Sequence, residues 1–188
     1  SFEPRLRPWY QRAMAQRGRA FTPVYLSASK RALIITLAQP VFEDDGGAAG
    51  VFGVDMFLTR INETLQVQRI SARGAAYLMD EQGLLVASSA GDALFTETNG
   101  SLERVRPSAS ASPIIRDSFR AVGDAMGKTR EGSVQRISLT ARIPMADGGN
   151  LMTVLRPFGE NLGLKWTLVV AAPESDFVAD MQAALRQA

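Results

Sequence analysis

Residues 33–61 read LIITLAQPVFEDDGGAAGVFGVDMFLTRI, and this stretch constrains the fold more than any other. Two runs rich in β-branched and aromatic residues flank Asp44-Asp45-Gly46-Gly47. Glycine supplies the positive φ that a tight reversal needs, so the three pieces predict an antiparallel hairpin. Behind it, Leu58, Ile61 and Leu65 recur at helical spacing, predicting a helix from Thr59 to Gln68. Acids in the turn raise the possibility of calcium, but the spacing of an EF-hand loop is missing and a solvated turn is the simpler reading.

The order of long strand, glycine turn, strand and helix recurs, weakly, in ARIPMADGGNLMTVLRPF (141–158) followed by LGLKWTLVVAAPESDF (162–177). Ahead of the second copy, AAYLMDEQGLLVASS (75–89) predicts a hairpin folded at residues 81–83, and Ile114 to Met126 a helix closed by Gly127. Ahead of the first copy, TPVYLSAS (22–29) predicts a strand turning near Ser29-Lys30 into residues 31–44. Pro8 lacks an N–H that the first helical turn would leave unpaired anyway, so a short helix is expected from Pro8 to Gln16, with Trp9 and Ala13 on one face. Residues 90–112, rich in Ser, Ala and Gly, read as a long loop. Strands are expected over 133–146, 151–158 and 165–173, and a last helix from Ser175 or Asp176, with Phe177, Met181 and Leu185 four apart. The whole is an α+β chain, two antiparallel-sheet modules in tandem with helices against one face, the first lacking a hairpin on its N-terminal side.

Composition matters chiefly for what it excludes. The chain has 188 residues, with no cysteine and no histidine. Disulfide frameworks, thiol nucleophiles, Cys/His zinc sites and a catalytic histidine are therefore ruled out. No nucleophile–base pair, phosphate-binding loop or metal cluster is visible, so an enzyme is the least supported class and no cofactor is expected. Acids and bases are interspersed to a net charge of +2, which gives no electrostatic footprint for nucleic acid. No apolar run approaches the ~20 residues needed to cross a bilayer. The opening SFEPRLRP is unlike a signal peptide and reads as a cut made within a larger protein.

PRLRPWYQRA (4–13), VYLSAS (24–29), LIITLAQPV, the glycine turn and GVFGVDMFL (50–58) together resemble the membrane-distal module of a double Cache sensor domain. YLMDEQGLLVASS (77–89) and LGLKWTLVVAAPESDF resemble the first hairpin and last strand of its membrane-proximal module. The resemblance implies two PAS-like modules: a partial distal one over 1–58, a linking helix over 59–75, a proximal one over 76–175, and a helix over 176–188 leading toward a membrane span. It implies a periplasmic, ligand-binding part of a bacterial histidine kinase, cyclase or chemoreceptor, anchored through flanking helices outside this sequence and homodimeric in the intact receptor.

Amino-acid-binding members of that family carry a pocket signature. Arg7 and Trp9 match positions that hold the ligand carboxylate, and Tyr10 follows as in the signature. Tyr25 matches a tyrosine on the next strand, and Asp55 the aspartate that pairs with the ligand ammonium. The chemistry suits a zwitterion, which needs a forked cation at one end and an anion at the other. Phe2 stands where the signature has tyrosine, and Ser27 where it has aspartate, so an amino acid or a similar small carboxylate is the expected ligand. The plainer alternatives stay open: Trp9 and Tyr10 as core, Arg7 on the surface, Asp55 in a salt bridge, and the domain as a dimerisation spacer with a vestigial pocket. Asp55 interrupts an apolar strand, and if that strand is buried its carboxylate needs a partner. Arg5 and Arg12 are assigned to the surface, and Tyr77, Asp80, Arg142, Arg156 and Trp166 to structural roles.

Overall fold

A computed structural model describes residues 3–27, 32–98, 101–127 and 138–177. The chain divides into two compact units: Ser1–Arg60 with Gly159–Leu164, and Ile61–Phe158 with Lys165–Ala188. Both are antiparallel sheets with helices, as an α+β chain requires.

In the first unit, helix α1 (Pro8–Gln16) opens on Pro8 at its first position and ends at Arg17, whose φ of 48° is left-handed. The Arg17 guanidinium lies 4.4 Å above the Phe42 ring, so this cap position also carries a cation–π contact. The sheet is built on β3 (Leu33–Phe42), which pairs along one edge with β4 (Ala48–Phe57) and along the other with β1 (Ala20–Phe21) and β2 (Tyr25–Leu26). The turn between β3 and β4 forms as the glycines predict: Gly46 has φ of 84°, and Gly47 N–H donates to Asp45 Oδ1 at 2.7 Å.

Two expectations need correction in this unit. Within the described part of the strand expected over 22–29 only the two-residue β2 forms, with β1 ending before it at Phe21, because Pro23 between them cannot donate to the ladder. Thr22 fills the break, its hydroxyl accepting from Thr36 N–H at 2.9 Å. The turn expected at Ser29-Lys30 lies outside the described residues. The second correction concerns β4, whose apolar sequence suggested burial. Leu33, Ile34, Ile35 and Ala38 of β3 are buried, whereas Phe52, Val54 and Met56 of β4 are 74%, 68% and 45% exposed. Among the described residues β4 has no partner strand on its far edge.

Helix α2 (Leu58–Gln66) follows β4 in the chain. The second unit is a five-stranded antiparallel sheet of β5 (Ala75–Met79), β6 (Leu85–Ser88), β9 (Leu139–Pro144), β10 (Asn150–Phe158) and β11 (Trp166–Pro173), in the order β6-β5-β11-β10-β9. Helix α3 (Pro113–Gly127) packs on it through buried Ile115, Ser118 and Val122. The part of the 133–146 strand before residue 138 lies outside the described residues. The stretch 90–112 is more ordered than a loop. It holds a hairpin, β7 (Phe95–Thr98) with β8 (Ser101–Arg104), and a 3-10 turn at Pro107–Ala109. Asp92 gathers it by accepting from Ser88 Oγ at 2.6 Å and from Ala111 N–H at 2.9 Å. A helical turn starts at Glu174, and the rest of the expected last helix lies outside the described residues.

The internal repeat is out of step by one strand. The first glycine turn joins β3 to β4, the strand immediately before a helix. The second, with Gly148 at φ of 84°, joins β9 to β10, and β11 intervenes before the next helical turn. The structural counterpart of β4 is therefore β11, which lies between β10 and β5.

Candidate functional site

The candidate residues lie in the first unit, on the sheet face that receives α1. Register pairs Thr36 with Asp55 and Ala38 with Gly53 across the β3–β4 ladder. Strand alternation puts Gly53 and Asp55 on one face of β4. A Cβ built on Gly53 would stand 3.4 Å from Trp9 Cε3 and 3.3 Å from Thr36 Cγ2, so that face is the one Trp9 covers. Trp9 can reach it because Pro8 starts α1 immediately before it, directing its ring from the first turn onto the sheet.

A chain of polar contacts runs across this face. Tyr25 Oη and Thr36 Oγ1 are 2.6 Å apart, and Thr36 Oγ1 donates to Asp55 Oδ1, also at 2.6 Å. Thr36 is 1% exposed, so its hydroxyl must be satisfied within the protein. Arg7 joins from the other side: its Cζ lies 5.6 Å from the centre of the Tyr25 ring, and Nη2 donates to Leu26 O at 3.2 Å. A cation over the ring and, through Thr36, a carboxylate thus flank one half-buried tyrosine. Burial raises the Tyr25 hydroxyl above its usual pKa and the charge of Asp55 adds to this, against opposing pulls from the Thr36 bond and Arg7.

The sequence-predicted residues divide accordingly. Arg7, Trp9, Tyr25 and Asp55 come together. Tyr10 is tied in through Trp9, the two rings meeting edge-on with centroids 5.8 Å apart. Ser27 is buried just past β2, its N–H donating to Ala32 O at 2.8 Å, so its backbone closes the sheet there. Phe2 lies outside the described residues. The burial premise for Asp55 does not hold, since β4 is exposed at that position; what engages its carboxylate is Thr36.

Thr36 itself is the residue that sequence reasoning passed over. The turn closes between Glu43 N–H and Gly47 O at 2.8 Å around Asp44-Asp45-Gly46, and a register shift at Val41/Phe42 then sets position 36 opposite position 55, so the pairing was not legible from the turn alone. Arg5 is exposed and pairs with Glu3 at 2.9 Å, as a surface arginine should. Arg12 does not follow suit, because its Nε is buried without a hydrogen-bond partner.

In the second unit the polar candidates make framework contacts. Asp80 is buried, bonded to Arg104, and accepts from Gln82 and Leu84 N–H at 3.0 Å each. Tyr77 is fully buried with Ser118 Oγ 3.5 Å from its hydroxyl, and burial pushes that hydroxyl well above the usual tyrosine range. Arg142 pairs with Glu174, Arg156 donates to Leu155 O at 2.9 Å, and Trp166 stacks on Phe158 with centroids 6.4 Å apart. Among the described residues, no group of acidic side chains is placed to hold a metal ion, and no helix is long and apolar enough to cross a membrane.

Residues 1–63 match the family described as methyl-accepting chemotaxis protein-like, first PDC sensor domain. Over 85 residues, 45% of this chain, the sequence is 31% identical to the methyl-accepting chemotaxis protein PscA of Pseudomonas syringae pv. tomato, and the match spans 13% of that protein. Among solved structures, the ligand-binding domain of the Pseudomonas fluorescens chemoreceptor CtaA in complex with L-isoleucine is similar at a TM-score of 0.56 and 20% identity, over 93% of this chain and 60% of that one. The ligand-binding domain of the Pseudomonas aeruginosa amino-acid chemoreceptor PctB in complex with L-Arg is similar at 0.57 and 18%, over 93% and 62%. Residues 1–63 are thus similar to the first PDC sensor domain of chemotaxis-receptor-like proteins, and the chain has the α+β fold of chemoreceptor ligand-binding domains.

Proposed function

We propose that this chain is the periplasmic sensor of a bacterial transmembrane signalling protein, a chemoreceptor before a kinase or cyclase, and that its first unit binds an amino acid or similar small carboxylate. The observation that carries the reading is the placement of Arg7 and Asp55 around one tyrosine, with Trp9 on the same face as Asp55. A zwitterion needs a forked cation at one end and an anion at the other, and Arg7 with Asp55 supplies both. Solved neighbours whose names include L-isoleucine and L-Arg support the ligand class. In this reading residues 1–58 form part of a distal double Cache module, 59–75 a link, 76–175 a proximal module and 176–188 a helix leading to the membrane. The intact receptor is a dimer that performs no chemistry itself. Ligand binding shifts the balance between two arrangements of the sensor, and the last helix passes that shift on.

A second reading, a spacer with a vestigial pocket, draws on the exposure of Asp55 and of the β4 side chains around it. Calorimetry and thermal shift with the twenty L-amino acids separate the two. A ligand that binds only the native state, present at a hundred times its Kd, stabilises by about 2.7 kcal/mol. The sensor reading expects such a stabilisation from at least one amino acid, lost in both Arg7→Ala and Asp55→Ala. No response to any of the twenty supports the spacer.

A further inference from the structure

Thr36 has one hydroxyl proton and two neighbours. Asp55, as a carboxylate, can only accept, so at 2.6 Å it takes the Thr36 proton. Tyr25 Oη lies 2.6 Å from the same Thr36 oxygen, and with that proton already used the second bond has to be made with the Tyr25 proton. The order is fixed as Tyr25 to Thr36 to Asp55. Thr36 cannot escape it by turning to water, being 1% exposed, and its methyl group sits on the face beside Gly53 that Trp9 covers. Arg7 meets Tyr25 through the ring, and its Nη2 is engaged by Leu26 O.

We propose that Thr36 is a positioning residue that sets the hydrogen-bond polarity of the site. By giving its proton to Asp55 and taking that of Tyr25, it leaves the tyrosine oxygen and the second carboxylate oxygen to a ligand as acceptors, with no donor between them among the described residues. This rests on the amino-acid reading above and refines it. The group bound there must bring several donors of its own, as an ammonium does. A hydroxyl in its place can donate once, to Asp55, and its lone pairs then face the Tyr25 oxygen unpaired. Once a bound ligand covers Tyr25 and Asp55, an acceptor that it leaves unmatched is costly, and that cost rejects the wrong partner.

The test compares L-alanine with L-lactate by calorimetry on the whole chain; where another of the twenty amino acids binds more tightly, that one is compared with its 2-hydroxy acid. Wild type is expected to prefer the amino acid. Thr36→Val keeps the shape but frees the Tyr25 proton to donate, so the amino-acid preference should fall at least tenfold, and Thr36→Ser should restore it. A purely structural role would weaken both ligands together and leave the ratio unmoved. An unchanged ratio in folded Thr36→Val overturns the assignment while leaving the amino-acid reading intact. If Thr36→Val does not fold, Tyr25→Phe decides: a preserved ratio there overturns the assignment equally. A wild-type chain that binds no amino acid at all overturns the sensor reading and this inference with it.

Discussion

Gly53 offers the most direct check on how the candidate site is packed. Its backbone is ordinary strand, so a side chain there is limited by space alone. A β-carbon at 53 would sit 3.3 Å from Thr36 Cγ2 and 3.4 Å from Trp9 Cε3, just inside comfortable contact. For Gly53→Ala two effects oppose each other. Removing a glycine from a strand interior gains about 0.5–1 kcal/mol, and the tight contacts cost a similar amount, because half-buried Trp9 can yield by a few tenths of an ångström. Stability should therefore stay within about 0.5 kcal/mol of wild type. Gly53→Val adds branches that the indole must leave room for, and overpacking of about 1–3 kcal/mol outweighs the roughly 1 kcal/mol span of strand propensity. A net loss of about 1 kcal/mol is expected, read as a lower urea midpoint, together with a red-shifted Trp9 emission in a Trp166→Phe background. Ligand stabilisation should fall alongside, since the ring is displaced from the face that Asp55 shares. If Gly53→Val leaves both the emission and the midpoint unchanged, Trp9 does not rest on Gly53 and the proposed wall of the site is wrong.

Other expectations concern the framework. Arg104→Ala strands Asp80, which is 4% exposed, without its cation. The two N–H bonds from Gln82 and Leu84 persist, so the loss should fall at the lower end of the range for a broken buried pair, about 3 kcal/mol by urea denaturation, whereas Arg120→Ala, from an exposed pair, should change little. Burial alone would raise the pKa of Asp176, but bonds from Ser71 Oγ and from the backbone and side chain of Arg73 outweigh it and hold it below the usual range. A lowered folded pKa contributes stability that is present above the unfolded value near 3.9 and is lost as pH falls through the folded one. Thermal midpoints should therefore drop below about pH 4, and less steeply in Asp176→Asn. Arg17→Gly should be nearly neutral, since relief of the left-handed backbone, about 1 kcal/mol, is offset by loss of the contact with Phe42.

Much of the fold could be read from local chemistry. Pro8 marked the start of α1 and the glycine turn at Asp45-Gly46 joined β3 to β4, because in each case the residue itself dictates the backbone. Legibility failed where a single residue outweighed the trend around it. Pro23 split an otherwise plausible strand. In 90–112 the Ser and Gly content concealed LFTET and SLERV, although the Asn99-Gly100 pair between them is a strong hairpin signal. The repeat was misaligned because two similar glycine turns join different pairs of strands, a fact of topology that no local pattern carries. At the site, the charged and aromatic members stood out as departures from apolar strands. Thr36 did not, since threonine is at home in a strand, and its importance arises only from the residue across the ladder.

The exposed outer side of β4 has a practical consequence for anyone preparing this protein. Ten residues of strand whose far edge has no partner among those described, with Phe52, Val54 and Met56 facing outward, make a template onto which another extended chain can add. Its sequence there, AAGVFGVDMF, has a single charge to discourage stacking. Colloidal behaviour should therefore be governed by this one strand. Turbidity should rise with concentration, and a lysine at position 52 or 54 should suppress it while leaving Asp55 and Trp9, on the opposite side of the sheet, untouched.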